Sequence, residues 1–178
     1  MNQDILVVVD YQNDFVAGAF GFRSARLIED RLYKKVVEYL NGGKRVFFTV
    51  DAPDESADEE RPSRYPAHCA YGTEGGHLYG RLREFEESDY QKSVCFVKKE
   101  TYLTTGLAKA IQRYNMAPDG IELCGISTNV CVIANAFYIQ SAFFNSRIVV
   151  DGSCCASKEK ALHDKALAVM ASAGMRVV

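Results

Sequence analysis

Three residues, far apart in the chain, fit one piece of chemistry. Cys131 sits in GISTNVCV, Asp10 closes the apolar run ILVVVD, and Lys99 is the second lysine of VKKETY. A thiol becomes an effective nucleophile when a base takes its proton or a nearby charge favours the thiolate. The Asp10 carboxylate can act as that base. The Lys99 ammonium favours the anionic form of both partners. A helix opening near Thr128 would put Cys131 in its first turn, where the helix dipole and free N–H groups favour an anion. Those N–H groups, with those from Ser127 to Cys131, would then supply an oxyanion hole. This arrangement needs no histidine, and His68, His77 and His163 lie in contexts that do not suit a thiol–imidazole pair. Each of the three residues alone has a plainer reading: Asp10 capping a turn, Lys99 a solvated charge, Cys131 a small packed hydrophobe.

What sets them apart is where the elements must put them. Residues 5–9 form a continuous apolar, β-branched run, which fits a strand buried on both faces. Residues 24–40 have helical spacing, with Ser24 as cap and Gly42-Gly43 as stop. Strands are expected at 45–50, 94–97, 121–124, 147–150 and 175–178. Helices are expected at 78–87, 105–114, 129–144 and, capped by Ser157, at 157–173. The helix at 129–144 is apolar around most of its circumference, so it is central or at an interface. Short apolar strands alternating with helices imply an α/β fold: a single three-layer α/β/α domain over 1–178 with a mainly parallel six-stranded sheet. Ligands of such sheets bind beyond the carboxyl ends of the strands. Those ends are Asp10, Asp51, Lys98-Lys99, the stretch 127–131, and Asp151. The long Pro-, Gly- and charge-rich segment 51–77 is of the kind that serves function.

Composition narrows the classes. A chain of 178 residues can bury a real core, and 48% hydrophobic with 25% charged residues is near the globular average. The net charge of −2 gives no reason to expect a nucleic-acid or anionic-membrane partner. No apolar run reaches the roughly 20 residues of a bilayer span. The opening MNQDILVVVD lacks a basic n-region, so it is not expected to be a signal peptide. A cytoplasmic location is expected, with the six cysteines as reduced thiols.

The motifs resemble a known family, the isochorismatase-like cysteine hydrolases. ILVVVDYQNDFV is similar to its apolar strand followed by D-x-Q-x-D-F, KKETY to its K-x-x-Y, and GISTNVCV to its G-[apolar]-[small]-T-[DN]-x-C-V. The likeness runs from Asp4 to the C-terminus with the motifs in order. It implies Asp10 as general base, Lys99 as supporting cation, Cys131 as nucleophile, and a cis peptide at Ile126–Ser127. RYPAHCAYGTEG, residues 64–75, is similar to the nicotinamidase segment W/F-P-x-H-C-x-x-G-T-x-G. That resemblance implies hydrolysis of a small amide through a thioester, with nicotinamide giving nicotinate and ammonia. It also implies one divalent metal, zinc or manganese, held by Asp51 and His68. Pro53 stands where the family carries a further histidine, with Asp54 or Glu55 as the neighbouring donors. Phe15, Tyr65 and Tyr102 are implied as the aromatic substrate contacts. After Tyr102 the chain reads Leu103-Thr104-Thr105 where the family often has S-A-F, so one pocket wall differs.

Two other readings stay open. The same fold performs vinyl-ether hydrolysis of isochorismate-like acids, for which Arg23, Arg61 and Arg64 would be cationic partners. A non-catalytic binding protein of this fold is the third. No organic cofactor is implied: GTEGGH lacks the G-K-[ST] of a phosphate loop. The expected partners are a small-molecule substrate and further copies of the chain, as a homo-oligomer.

Overall fold

The computed structural model describes residues 4–52, 68–70, 72–114 and 117–178. Among them, six strands form one sheet: β1 (Ile5–Val9), β2 (Arg45–Asp51), β3 (Val94–Lys99), β4 (Gly120–Ile126), β5 (Arg147–Ala156) and β6 (Arg176–Val177). Their order is β3-β2-β1-β4-β5-β6, and every neighbouring pair is parallel. The helices are α1 (Asn13–Val16), α2 (Arg23–Arg26), α3 (Glu29–Asn41), α4 (Gly106–Tyr114), α5 (Ile133–Ala142) and α6 (Lys160–Ser172). Parallel neighbours need crossovers, and right-handed crossovers place helices on opposite faces once the strand order reverses. The order reverses between β1 and β4, which gives three layers and opens a crevice at their carboxyl ends. No helix among the described residues is long and apolar enough to cross a membrane.

β1 lies at the centre because it is apolar throughout, and all five of its residues are buried. β4 packs against it unusually closely. Gly125 has φ +117°, and a Cβ there would meet the Val9 carbonyl oxygen at 2.2 Å. Only glycine allows that approach. β3 is an edge strand, and its alternation decides between the two lysines: Lys98 is exposed and Lys99 buried.

Several sequence expectations shift. The helix expected over 24–40 is two pieces, α2 and α3. The buried Tyr11 hydroxyl donates to the Ala25 carbonyl at 2.7 Å. That competes for the acceptor a continuous helix would offer to Glu29. Leu27 consequently falls at the break and is 63% exposed. Ser24 is not a cap; its hydroxyl donates to the Ser157 carbonyl at 2.7 Å. The segment 78–87 contains a 3-10 helix over Gly80–Glu86, anchored by buried Leu82 and Phe85. The helix expected over 129–144 begins instead as a π turn over Thr128–Val132, followed by α5. Within α5, Asn135, Ala136 and Ile139 are buried, whereas Phe137 is partly exposed. The helix expected from Ser157 starts at Lys160 with no side-chain cap.

The largest boundary difference is β5, which runs on to Ala156 rather than stopping at 150. Asp151-Gly152 reads as a turn but lies within the strand, where the pairing with β4 shifts register between Leu123 and Gly125. The Asp151 carboxylate accepts from the Ser153 N–H at 2.8 Å and the Cys154 N–H at 3.2 Å, which stabilises the irregularity. Asp151 is therefore not at the strand end; residues 157 and 158 are.

Candidate active site

The crevice beyond β1 and β4 opens into a cavity of about 550 Å³. Asp10, Asp51, Lys99, Ser127 and Cys131 all line it. Thus the four strand ends β1, β2, β3 and β4 each contribute to one site. Register explains part of this, since Asp51 and Lys99 are direct partners across β2 and β3.

Asp10 leaves β1 with φ +50°, a left-handed conformation that Asp tolerates better than most residues. Its N–H still bonds the Thr49 carbonyl at 3.1 Å, extending the ladder. Its side chain is 1% exposed. The Thr49 hydroxyl donates to Asp10 Oδ1 at 2.7 Å. Lys99 Nζ stands 2.9 Å from Oδ2. That contact is ionic and poorly aligned, so Oδ2 is a buried oxygen with no directed hydrogen bond among the described residues. Lys99 also donates to the Thr101 carbonyl at 2.9 Å and lies 3.4 Å from Asp51 Oδ2.

The rest of the D-x-Q-x-D motif holds the surrounding loops. Gln12 Nε2 donates to the carbonyls of Asp51 and Gly76 at 3.0 and 2.8 Å, and Gln12 Oε1 accepts from the Asp51 N–H at 2.7 Å. Asp14 accepts from the Cys69 N–H at 2.7 Å. Alternate residues of one short stretch therefore fix the end of β2 and the loop that follows His68.

Cys131 is half-buried within the π turn. The peptide bond between Ile126 and Ser127 is cis. The Ser127 carbonyl accepts from the N–H groups of Val130 and Val132, at 3.1 Å each. Asn135 ties the turn to its neighbour, donating to the Cys131 carbonyl at 2.8 Å and the Tyr102 carbonyl at 3.0 Å.

The charges here are strongly coupled. Burial pushes the Asp10 carboxyl above its usual range, against the pull of Lys99, Thr49 and Cys131. Burial also pushes the Cys131 thiol up, and the Asp10 charge pushes it the same way against Lys99. For Lys99, burial alone would lower the ammonium, but Asp10, Cys131 and Asp51 together raise it. Burial and the Asp10 and Asp51 charges therefore oppose the thiolate, and Lys99 alone among these favours it. This differs from the sequence expectation that the start of a helix would favour the anion.

One cavity wall is aromatic: Phe15, Phe20, Phe22 and the His68 imidazole, whose centroid lies 4.9 Å from that of Phe20 in an edge-on arrangement. Tyr102 and Val130 also line the cavity, and Tyr102 is half exposed. Tyr65 lies outside the described residues, as do Pro53, Asp54, Glu55, Arg61 and Arg64. Sequence reasoning missed Phe20, Phe22 and Lys158 as lining residues. The alternation AFGF after α1 was the available signal for the two phenylalanines. Lys158 was hidden by the misplaced end of β5. His77 and His163 serve elsewhere, paired with Glu86 at 2.7 Å and the Thr128 hydroxyl at 2.8 Å.

Asp51 Oδ2 lies 3.5 Å from His68 Nε2. These are two donors of the kind a divalent ion takes, but protein metal sites usually supply three or four. No group of three or more His, Cys, Asp or Glu suited to a metal occurs among the described residues. The Lys99 ammonium already stands beside the same Asp51 oxygen. The described residues therefore do not make a complete metal site.

Fold and site define a three-layer α/β/α hydrolase with a cysteine at the exit of a central strand. A profile of the isochorismatase family, the Isochorismatase domain, matches residues 4–178, and the chain belongs to that family. It is 29% identical over 173 residues to the Bacillus subtilis (strain 168) "uncharacterized isochorismatase family protein PncA", covering 94% of this chain and 93% of the relative. Its structure is similar to that of the nicotinamidase/pyrazinamidase PncA from Bacillus subtilis, with TM-score 0.88, 31% identity and 99% of both chains covered. The fold is also shared with the Pyrococcus horikoshii pyrazinamidase solved in complex with zinc, with TM-score 0.82 and 23% identity over 99% of this chain and 98% of the other.

Proposed function

We propose that the chain is a cysteine amidase of the nicotinamidase type, hydrolysing a small aromatic carboxamide to the acid and ammonia. The observation that carries this reading is that the buried Asp10 carboxylate, held beside Lys99 and with Oδ2 lacking a directed hydrogen bond among the described residues, lines the same cavity as Cys131. The aromatic wall of a cavity of about 550 Å³ suits a flat ring, and the nicotinamidase relatives support the amide.

In this mechanism Asp10 takes the Cys131 proton as Sγ bonds the amide carbon, and the carbonyl electron pair becomes an oxyanion. The amides of Ser127 and Cys131 stabilise that oxygen. Collapse breaks the C–N bond, and Asp10 returns the proton so that ammonia leaves. Water then attacks the thioester, giving its proton to Asp10, and the thiol departs reprotonated. Lys99 keeps Asp10 anionic between steps. Phe15 and Tyr102 contact the ring, with Tyr65 the third aromatic carried over from the family. Asp51 and His68 are the candidate ligands should zinc or manganese bind, and no step here depends on it. The family resemblance also supports a homo-oligomer in the cytoplasm.

The test is ammonia release from nicotinamide by the wild type and by Cys131→Ala, each with and without added zinc or manganese. Turnover lost by at least about 10³-fold in the variant is expected for removal of the nucleophile. Ammonia release retained in Cys131→Ala would sink the mechanism. Turnover of isochorismate but not of carboxamides would replace it with vinyl-ether hydrolysis.

A further inference from the structure

A second cavity, of about 600 Å³, lies beyond the carboxyl end of β5, with α2 and the start of α6 in its walls. Among the described residues, its lining carries Arg23, Arg31, Lys158, Lys160 and His163 and no carboxylate. This is a concentration of positive charge in a chain whose net charge is −2. Lys160 is engaged by Asp164 at 2.6 Å. Among the described residues, Arg31 donates through Nε to the Ser153 carbonyl at 2.7 Å, with its terminal nitrogens making no hydrogen bond. Among the described residues, Arg23, Arg31 and Lys158 have no ion pair. A lone exposed cation is worth little, but several facing one concavity focus the field and raise local anion concentration.

The cavity also neighbours the site with Cys131. Lys158 lines both cavities, Phe22 lines the first and the adjacent Arg23 the second. The π turn that carries Cys131 rests on the second cavity's wall. His163 Nδ1 bonds the Thr128 hydroxyl at 2.8 Å, and the Asn129 N–H donates to the Ser157 hydroxyl at 3.3 Å.

We propose that this second cavity binds a phosphate-class oxyanion beside the reaction site, gripped by Arg23, Arg31 and Lys158. Guanidinium groups match the geometry of such an anion in a bidentate manner. The anion is either free phosphate or the phosphoryl end of an amide whose other end reaches Cys131.

Titration with inorganic phosphate against chloride at constant ionic strength, read by thermal unfolding, tests the site without any need for turnover. Wild type should show a saturable rise in Tm. In the double variant Arg23→Gln, Arg31→Gln the apparent affinity should fall at least about tenfold, with the phosphate-free Tm as a check on folding. Lys158→Gln provides a second route if the double variant does not fold. A second arm compares kcat/KM for nicotinamide with that for a pyridine carboxamide bearing a phosphoalkyl arm. Preference for the phosphorylated amide, lost in the same variants, identifies the substrate's own tail as the anion. Saturable phosphate binding without that preference identifies a free anion. The proposal is overturned if phosphate acts no differently from chloride and the phosphoalkyl arm brings no gain, or if the double variant retains wild-type response in both.

Discussion

Around Cys131 the balance of charge decides the behaviour with pH. In the proposed mechanism Asp10 must be ionised to accept the thiol proton, and burial holds its carboxyl above the ordinary 3.8. Activity should therefore fall on acidification through a pH above that value, because the base is lost when it binds a proton. Lys99 opposes this shift by its charge. Replacing it in Lys99→Met leaves the carboxylate without its cation and raises its proton affinity further. The acid limb of a kcat/KM profile should move to higher pH by at least about one unit, with Lys99→Arg keeping more of the wild-type position. An acid limb that stays in place in Lys99→Met would mean that another group governs it. Asp10, Lys99 and Cys131 were legible in the sequence because each closes or follows an apolar run and sits in a distinctive motif. Their proton positions were not, since these depend on burial and on Asp51, which only the folded sheet brings beside Lys99.

The elements reach the site through one close contact, between β1 and β4. In Gly125→Ala the added Cβ would strike the Val9 carbonyl oxygen at 2.2 Å and the Val9 nitrogen at 2.6 Å, at a backbone φ of +117°. Both neighbours are backbone in the centre of the sheet, so neither can swing aside. A loss of about 3 kcal/mol or more is expected in urea denaturation. A variant within roughly 1 kcal/mol of wild type would show that the strands can separate without cost. β1 and β2 were readable because continuous β-branched or aromatic runs leave little choice of element. The second half of β5 was not, because Asp151-Gly152-Ser153 has turn chemistry and pairing with β4 resumes only at Cys155, beyond the register shift. The break between α2 and α3 was equally hidden, as its cause is the hydroxyl of Tyr11, 14 residues away from Ala25. The π turn at Cys131 left no local sign either. Missing the end of β5 also concealed Lys158, the residue shared by the linings of the two cavities.

Across the whole molecule, the helical layer is fastened to the sheet by Lys35. From α3 its ammonium reaches Glu122 on β4 at 2.5 Å and Asp151 on β5 at 2.9 Å, and the Tyr39 hydroxyl adds a bond to Glu122 at 2.6 Å. Burial alone would raise the Asp151 carboxyl, but hydrogen bonds from Ser153 and Lys35 outweigh it and hold the group below 3.8. A lowered carboxyl contributes stability that is present above the unfolded value and lost as pH falls through the folded one. Lys35→Met should cost about 2 kcal/mol at neutral pH, by leaving two part-buried carboxylates without their cation. The cost should shrink at a pH well below 3.8, as the medium falls through the lowered Asp151 value and that group takes up its proton. Denaturation at both pH values checks this, and an equal loss at each would assign the effect to packing. The strand order carries a different implication for the chain as a polymer. β3 lies at one edge, while β1 and β2 sit between it and β4. A nick in the exposed stretch 91–92 would leave Asp10 and Asp51 on one polypeptide and Lys99 and Cys131 on the other. Neither piece could hold the reacting groups, and reunion would have to rebuild the β2–β3 and β1–β4 seams together. Hydrolysis would then report the meeting of two fragments, with silence as its background.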